Sequence, residues 1–347
     1  MNILIAGGCG YIGSHTAAEL ISRGHDIVIC DSLVRGSIDA PDAIAEITGK
    51  KVCFYRVDIS DTESLHAVFE KHRFDAVINF AGLKSVSESV LMPLSYYRSN
   101  VCAAVSLLEV MDRYNVRKII FSSSASVYGK NDIMPLTEAC AKNPSSPYAR
   151  SKSMIEDIIL DLCSSDDRWS AVMLRYFNPV GAHSSLLIGE DPKIPSDNIM
   201  PHIIKTALGE KSCLDIFGTD YETEDGTGVR DYIHISDLAK GHVCALERLF
   251  TSSGYEAFNL GTGKGCSVLE LVRIFEESTG IKIPVKLSPR RPGDVSVCYA
   301  DTSLAEKVLG WKAEQNLADM CSSSLSYAAK DIKENRSNLI QNQDGYR

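Results

Sequence analysis

The sequence predicts an α/β protein built on a doubly wound parallel sheet, with a smaller mixed subdomain toward the C-terminus. Three observations predict it. Short apolar strands alternate with amphipathic helical patterns through the first half of the chain, and that alternation implies parallel pairing with helices on both faces. The first strand runs into a glycine-rich turn that opens a helix, as in Rossmann-type dinucleotide-binding units. After about residue 177 the rhythm breaks, in a stretch rich in Pro, Gly, Asp and Ser that is too long for a structureless loop and suggests a ligand-covering unit.

The elements follow in order. Asn2 to Ala6 reads as a buried strand. Ile12 to Arg23 reads as a helix with Ile12, Thr16 and Leu20 on one face, and Gly24 stands where a helix C-terminus favours glycine. Ile27 to Cys30, Val52 to Val57, Ala76 to Phe80, Lys118 to Ser122 and Ala171 to Arg175 are further strands, with helical patterns between them. A short helix is expected over Met200 to Gly209 and a strand at Phe258 to Leu260. Another helix should run from Ser267 through Glu277, with Ser267 as N-cap and Glu270 in the capping-box position. The expected organisation is a dinucleotide-binding domain over 1–176, to which the chain returns at about 232–260. Residues 177–231 and 261–330 form the substrate subdomain, and 331–347 a polar tail that frays.

Bulk properties narrow the function. A chain of 347 residues suits one large domain or two closely joined ones. Thirty-six Lys and Arg against 45 Asp and Glu give a formal charge of −9, which argues against nucleic-acid and membrane-surface partners. Met1 to Gly13 does not read as a targeting segment, and no run approaches the roughly 18 apolar residues of a membrane span, so a cytoplasmic protein is expected. Eleven cysteines lack any C-x-x-C pair; Cys9, Cys30, Cys53, Cys102 and Cys244 lie in apolar or glycine-rich stretches and are expected to be reduced, buried thiols. The eight histidines show no metal-ligand spacing, and no metal site is expected.

The turn after the first strand reads Gly7-Gly8-Cys9-Gly10-Tyr11-Ile12-Gly13. Glycine permits the tight turn and close approach of backbone N–H groups to a pyrophosphate, which then meets the positive end of the following helix. Asp31, at the end of the second strand, suits a ribose diol and would repel a 2′-phosphate, so the expected cofactor is NAD, with Arg35 nearby as the one residue that points toward NADP. Asp58 and Ile59 close the third strand, where they suit an adenine. Asn79 to Gly82 closes the fourth at the carboxyl edge, where such sheets bind ligands.

The chemistry centres on Tyr148 and Lys152. Ser146 can cap a helix beginning at Pro147, which places Tyr148 in its first turn and Lys152 one turn on, along the same face. A free tyrosine ionises near pH 10. A lysine ammonium, the helix N-terminus and a positive nicotinamide ring would lower that value and make a base matched to removing a hydroxyl proton as hydride leaves the same carbon. Ser124, at the end of the serine-rich fifth strand, is the candidate to hydrogen-bond the substrate hydroxyl.

These motifs resemble the extended short-chain dehydrogenases/reductases. Further segments are similar to the UDP-glucose 4-epimerase branch: Phe80 to Lys84, Arg175 to Pro179, Asn198 to Pro201, Asp225 to His234 and Arg290 to Asp294. The resemblance runs over about residues 1–330 and implies NAD held by Gly7, Gly10, Tyr11, Ile12, Gly13, Asp31, Ser32, Asp58, Ile59, Phe80, Ala81, Gly82, Lys84, Ser122, Tyr148, Lys152 and Phe177. Ser99 stands where the family often has Asn. Ser124, Tyr148 and Lys152 would be catalytic. The UDP-sugar would meet Lys84, Ser124, Tyr148, Asn178, Asn198, Ile199, Phe217, Arg230, Arg291, Asp294 and Cys298; arginines suit its two phosphates, which they bind bidentately. The implied reaction is reversible oxidation at sugar C4 through a 4-keto intermediate, interconverting UDP-glucose and UDP-galactose. A homodimer through helices near Ser95 to Tyr114 and Pro147 to Cys163 is implied as well.

A family gatekeeper position beside the sugar follows the Gly-Asp pair. Counting from Arg291 to Asp294 puts Cys298 there, and a small side chain leaves room for a C2 N-acetyl group, so UDP-GlcNAc and UDP-GalNAc are expected substrates too. A one-residue slip would put Tyr299 there instead. Three competitors remain. A nucleotide-sugar 4,6-dehydratase needs an acid pair where Ala125-Ser126 stands. A UDP-uronate 4-epimerase or decarboxylase fits Asn198 to Pro201 and Arg230 less well. A non-catalytic NAD sensor would be expected to lack Tyr148 or Lys152.

Overall fold

The computed structural model describes residues 1–191, 194, 196–291 and 294–344, with side chains described as far as residue 330. The first half runs β1 (Asn2–Ala6), α1 (Tyr11–Ser22), β2 (Asp26–Asp31), α2 (Ala40–Thr48), β3 (Cys53–Arg56), α3 (Thr62–Lys71) and β4 (Ala76–Asn79). It continues through α4 (Val86–Leu91), α5 (Pro93–Tyr96), a π-helical turn over Tyr97–Cys102, α6 (Ala103–Arg113), β5 (Lys118–Ser122), α7 (Pro147–Ser165) and β6 (Ser170–Tyr176). The second half holds β7 (Asn178–Val180), α8 (Ile199–Ala207), β8 (Leu214–Phe217), β9 (Val229–Arg230), β10 (Tyr232–His234), α9 (Ile235–Leu249) and β11 (Gly254–Leu260). The last elements are β12 (Cys266–Ser267), α10 (Val268–Thr279), β13 (Val285–Ser288), β14 (Val297–Cys298), α11 (Ser303–Leu309) and α12 (Leu317–Asp344).

Seven strands form one parallel sheet in the order β11-β6-β5-β4-β1-β2-β3. Its strands are apolar at successive positions because both faces are covered. Ile3, Ile5, Ile29, Ile78, Ile120 and Val172 pack on one face against Leu20 of α1, Ile44 of α2 and Leu246 of α9. Leu4, Val28, Val77, Ile119, Phe121 and Met173 pack on the other against Phe69 of α3, Leu107 of α6 and Ile159 of α7. Burying each such side chain contributes about 1.5–3 kcal/mol. The carboxyl edge of this sheet, where β1, β2, β4 and β5 all end, is where the site lies.

A second core gathers Met200, Ile203 and Ile204 of α8, Leu214 and Ile216 of β8, Leu271 and Phe275 of α10, and Met320 of α12. Asp231, fully buried between β9 and β10, ties this part to the sheet edge. Its carboxylate accepts from Thr262 N at 2.8 Å, Thr262 Oγ1 at 2.7 Å, Gly263 N at 3.0 Å and Ala300 N at 3.2 Å.

The expected strands are present, several a residue or more longer or shorter at the ends. Ser267 and Glu270 form the capping box of α10, and Ser146 caps α7 by accepting from Ala149 N at 3.2 Å. Residues 331–344, expected as a frayed tail, continue α12 as helix. Cys9 and Cys30 are buried, but Cys53 and Cys102 are exposed and Cys244 is half-buried. Cys53 lies on the edge strand β3, where one side has no neighbouring strand to cover it.

Candidate functional site

A cavity of about 800 Å³ opens along the carboxyl edge of the sheet. Gly7, Gly10 and Gly13 line it, and their packing shows why glycine stands there. Gly7 has φ +79°, and a Cβ on it would lie 2.7 Å from Ala81 N; a Cβ on Gly13 would lie 2.3 Å from the Gly7 carbonyl oxygen. The turn is therefore pressed directly onto α1 and the exit of β4. Tyr11, Ile12, Ser32, Asp58, Ile59, Phe80, Ala81, Gly82, Lys84 and Ser99 also line the cavity.

Asp31 is set for recognition by two backbone donors, Cys9 N at 2.9 Å and Leu33 N at 2.8 Å. Burial raises its pKa, and these two hydrogen bonds act against the rise. Arg35 is held by Glu88, with Nη2 2.8 Å from Oε1, so its charge is already matched and it does not argue for a 2′-phosphate. Asp58 turns one oxygen toward Ser60 N and Oγ, at 2.9 and 2.7 Å. A glycine-lined helix N-terminus and a fixed carboxylate at the end of β2 fit NAD.

Tyr148 and Lys152 line the same cavity from α7 and are nearly buried, at 7% and 4% exposure. The Ser124 hydroxyl accepts from Ser126 N at 3.2 Å and acts on the Tyr148 phenol by lowering its pKa. Lys152 Nζ donates to the Ser122 carbonyl at 2.8 Å and sits 4.8 Å from the centre of the Phe121 ring. Without the positive nicotinamide ring, the protein's own groups act on this pair chiefly through burial. Burial raises Tyr148 above its ordinary value, with the Ser124 hydrogen bond opposing, and burial lowers Lys152 to about 8. Desolvation of both charged forms outweighs the local attractions.

Two residues expected at the cofactor stand behind the cavity wall. The Ser122 hydroxyl donates to Tyr176 Oη at 3.0 Å. Phe177, 4% exposed, packs with Ala125, Val127, Tyr128 and Ala300. Lys84 pairs with Glu190 at 2.9 Å, and Glu190 also accepts from Asn198 Nδ2 at 3.0 Å.

The expected substrate residues form a second group beyond this wall. Asn178 N donates to the Asp231 carbonyl at 3.0 Å, and Ile199 opens α8. The Arg291 guanidinium lies 5.0 Å from the centre of the Phe217 ring, and its Nε donates to Asp294 at 3.0 Å. Arg230 pairs across β9 and β14 with Cys298. Cys298 packs on the cluster of Phe177 and Ala125. Tyr299 lies elsewhere: a Cβ on Gly265 would meet its ring at 3.4 Å.

Sequence reasoning missed several groups. Asn100, 2% exposed, accepts from Leu83 N at 2.8 Å and donates to Leu83 O and Ser151 Oγ, both at 3.0 Å. Its neighbour Ser99 is exposed. The π-helical turn sets this phase, and nothing in a regular 3.6-residue period announces it. Glu190 and Asp197 were also missed; Asp197 accepts from Ser85 Oγ at 2.8 Å and Ser87 Oγ at 2.7 Å. The Glu156–Arg175 pair carried a signal: an arginine within an apolar strand.

The chain has extensive relatives. The family model described as GDP-mannose 4,6 dehydratase matches residues 4–324. The UDP-glucose 4-epimerase of Bacillus subtilis is 48% identical over 332 residues, covering 96% of this chain and 98% of that protein. The structure of UDP-glucose 4-epimerase from Bifidobacterium longum in complex with NAD+ and UDP is 46% identical, with a TM-score of 0.93 over 96% of this chain and 99% of that one. That from Stenotrophomonas maltophila, with bound NAD and formylated UDP-arabinopyranose, is 44% identical, with a TM-score of 0.94 over the same shares.

Proposed function

This chain belongs to the UDP-glucose 4-epimerases, within the extended short-chain dehydrogenases/reductases, and on that premise we propose that it interconverts UDP-glucose and UDP-galactose. The observation that carries the reading is Tyr148 and Lys152, nearly buried on one face of α7, lining the same cavity as the Gly7–Gly13 turn and Asp31. NAD, held by the Gly7–Gly13 turn and Asp31, would supply a positive ring and the hydride acceptor and donor for sugar C4. Tyr148 takes the proton of the C4 hydroxyl and gives it back, so the reaction has no net redox change. Ser124 shares that hydrogen bond, and Lys152 holds positive charge beside the phenol. Arg230 and Arg291 take the diphosphate, with Phe217, Asn178, Asn198 and Asp294 placing the nucleotide. Near-complete burial of the proton-transfer pair keeps water from the 4-keto sugar. A 4,6-dehydratase would need acids after Ser124, where Ala125 is buried in the apolar cluster.

The test is conversion of UDP-galactose to UDP-glucose by purified protein with no added reductant. Absence of interconversion refutes the assignment.

The reading extends to UDP-GlcNAc and UDP-GalNAc. Cys298 supports it, as a small side chain packed on the Phe177 and Ala125 cluster. Wild type should turn over UDP-GlcNAc, and Cys298→Tyr should lose that activity while keeping UDP-galactose turnover. Equal loss of both activities, or none, rejects it. The eleven cysteines, all free, fit a reducing cytoplasm. Homodimerisation is supported by an apolar groove between α6 and α7 lined by Val105, Leu108, Ile158 and Leu162. Sedimentation of wild type as a dimer and of Ile158→Glu as a monomer checks it.

A further inference from the structure

Tyr148, Lys152 and Glu156 stand four residues apart on α7 and form one stripe along it. Each engages a different one of three consecutive residues at the end of β5. The Ser124 hydroxyl acts on the Tyr148 phenol by lowering its pKa, Lys152 donates to the Ser122 carbonyl at 2.8 Å, and Glu156 accepts from Ser123 Oγ at 2.6 Å. The first two contacts belong to proton transfer; the third has no role in the reaction as derived so far.

Glu156 is fully buried, and a buried carboxylate needs partners. Arg175 of β6 supplies a two-pronged contact, Nε to Oε1 at 3.0 Å and Nη2 to Oε2 at 2.7 Å. Tyr255 of β11 donates at 3.3 Å, and Lys142 lies 3.5 Å away. Arg175 is fixed in turn by Tyr128 Oη and the Glu138 carbonyl, both at 3.1 Å. A buried ion pair of this kind is weak evidence for stability, because apolar replacements are often neutral or stabilising. Its place, one helical turn beyond Lys152 and directly on the serine turn, points to another role.

We propose that Glu156, held by Arg175, is a positioning residue for the reaction: it locks the Ser122–Ser124 turn to α7 and sets a buried negative charge that keeps Lys152 an ammonium. Burial lowers Lys152 to about 8, and Glu156 is the charge that opposes this. Arg175, Lys142, Tyr255 and Ser123 are the groups that face the Glu156 carboxylate. The catalytic half of the inference rests on the epimerase reading; the ionisation half does not.

Three variants separate the roles. Ser123→Ala cuts the tether and leaves the charge. Glu156→Gln removes the charge. Glu156→Gln with Arg175→Met removes the pair without leaving an unpaired buried guanidinium, so it folds where the single variant fails. Lys152 ionisation is read without turnover, from the pH dependence of its acetylation by acetic anhydride, followed by peptide mass spectrometry. In Glu156→Gln the Lys152 midpoint should fall by about one unit, the size of shift that one nearby charge produces, and the alkaline limb of kcat should move with it while KM stays within about threefold. In the double variant, which loses one charge of each sign, the midpoint should fall by less. Ser123→Ala should lower kcat severalfold and leave the Lys152 midpoint in place. A folded Glu156→Gln variant with wild-type labelling and wild-type kcat overturns the inference; where only the double variant folds, wild-type kcat in both it and Ser123→Ala overturns it. A wild type that does not interconvert UDP-hexoses overturns the epimerase reading, and the labelling profile still decides the Glu156 question.

Discussion

Gly13→Ala and Gly10→Ala differ by one methyl group in the same turn, and the structure assigns them opposite consequences for the fold. A Cβ on Gly13 would lie 2.3 Å from the Gly7 carbonyl oxygen and 2.8 Å from the Gly8 Cα. Ordinary contact begins near 3.4 Å, so the turn and α1 must part by about 1 Å, and both obstacles are backbone. Overpacking of this kind costs about 1–3 kcal/mol. The same displacement removes the turn's N–H groups from hydrogen-bond distance of a pyrophosphate. Charged hydrogen bonds contribute about 1.5–3 kcal/mol each, so losing one or two weakens NAD binding by about 10-fold to about 10⁴-fold. A Cβ on Gly10 meets only the Gly7 carbonyl oxygen, at 3.4 Å, and projects into the cavity that Gly10 lines. Gly10→Ala should therefore leave the urea midpoint of NAD-free protein within experimental error while still impairing NAD binding. Urea unfolding of the NAD-free proteins, with calorimetric titration of NAD, measures both effects. Equal midpoints for Gly13→Ala and wild type, or a lower midpoint for Gly10→Ala than for Gly13→Ala, would refute the packing argument.

Two further outcomes are expected. Tyr148→Phe should retain NAD and lose about 10²–10⁴-fold in kcat, the range for removal of a general acid–base; full activity would exclude Tyr148 as the base. Acid should destabilise the fold through His242, which packs on Phe80 with ring centroids 4.9 Å apart. Burial lowers its pKa from 6.5 to about 4. The folded pKa lies below the unfolded one, so this contribution is complete above pH 6.5 and is lost as pH falls toward 4, about 3 kcal/mol in all. Urea midpoints measured between pH 7 and 4 should fall steeply for wild type and less steeply for His242→Phe; parallel slopes contradict the assignment.

Features encoded within a few residues were legible in the sequence. The strand–glycine–helix unit, Asp31 at the end of β2, the Ser146 cap and the Tyr148–Lys152 spacing each depend on local periodicity and turn chemistry, which a linear string carries. The tertiary structure decided what depends on distant parts of the chain meeting. It placed Asn100 rather than Ser99 inside, because a π-helical turn shifts the phase of side chains that a regular helix would present. It packed Cys298 on the Phe177 cluster and set Tyr299 against Gly265, contacts between segments distant in the chain. It joined Glu156 to Arg175 across elements that sequence alone leaves unrelated. It also set how deeply the proton-transfer pair is buried. Charge spacing can be read from a helix, but desolvation is set by every element that closes over it, and here burial outweighs the local attractions that the sequence displays.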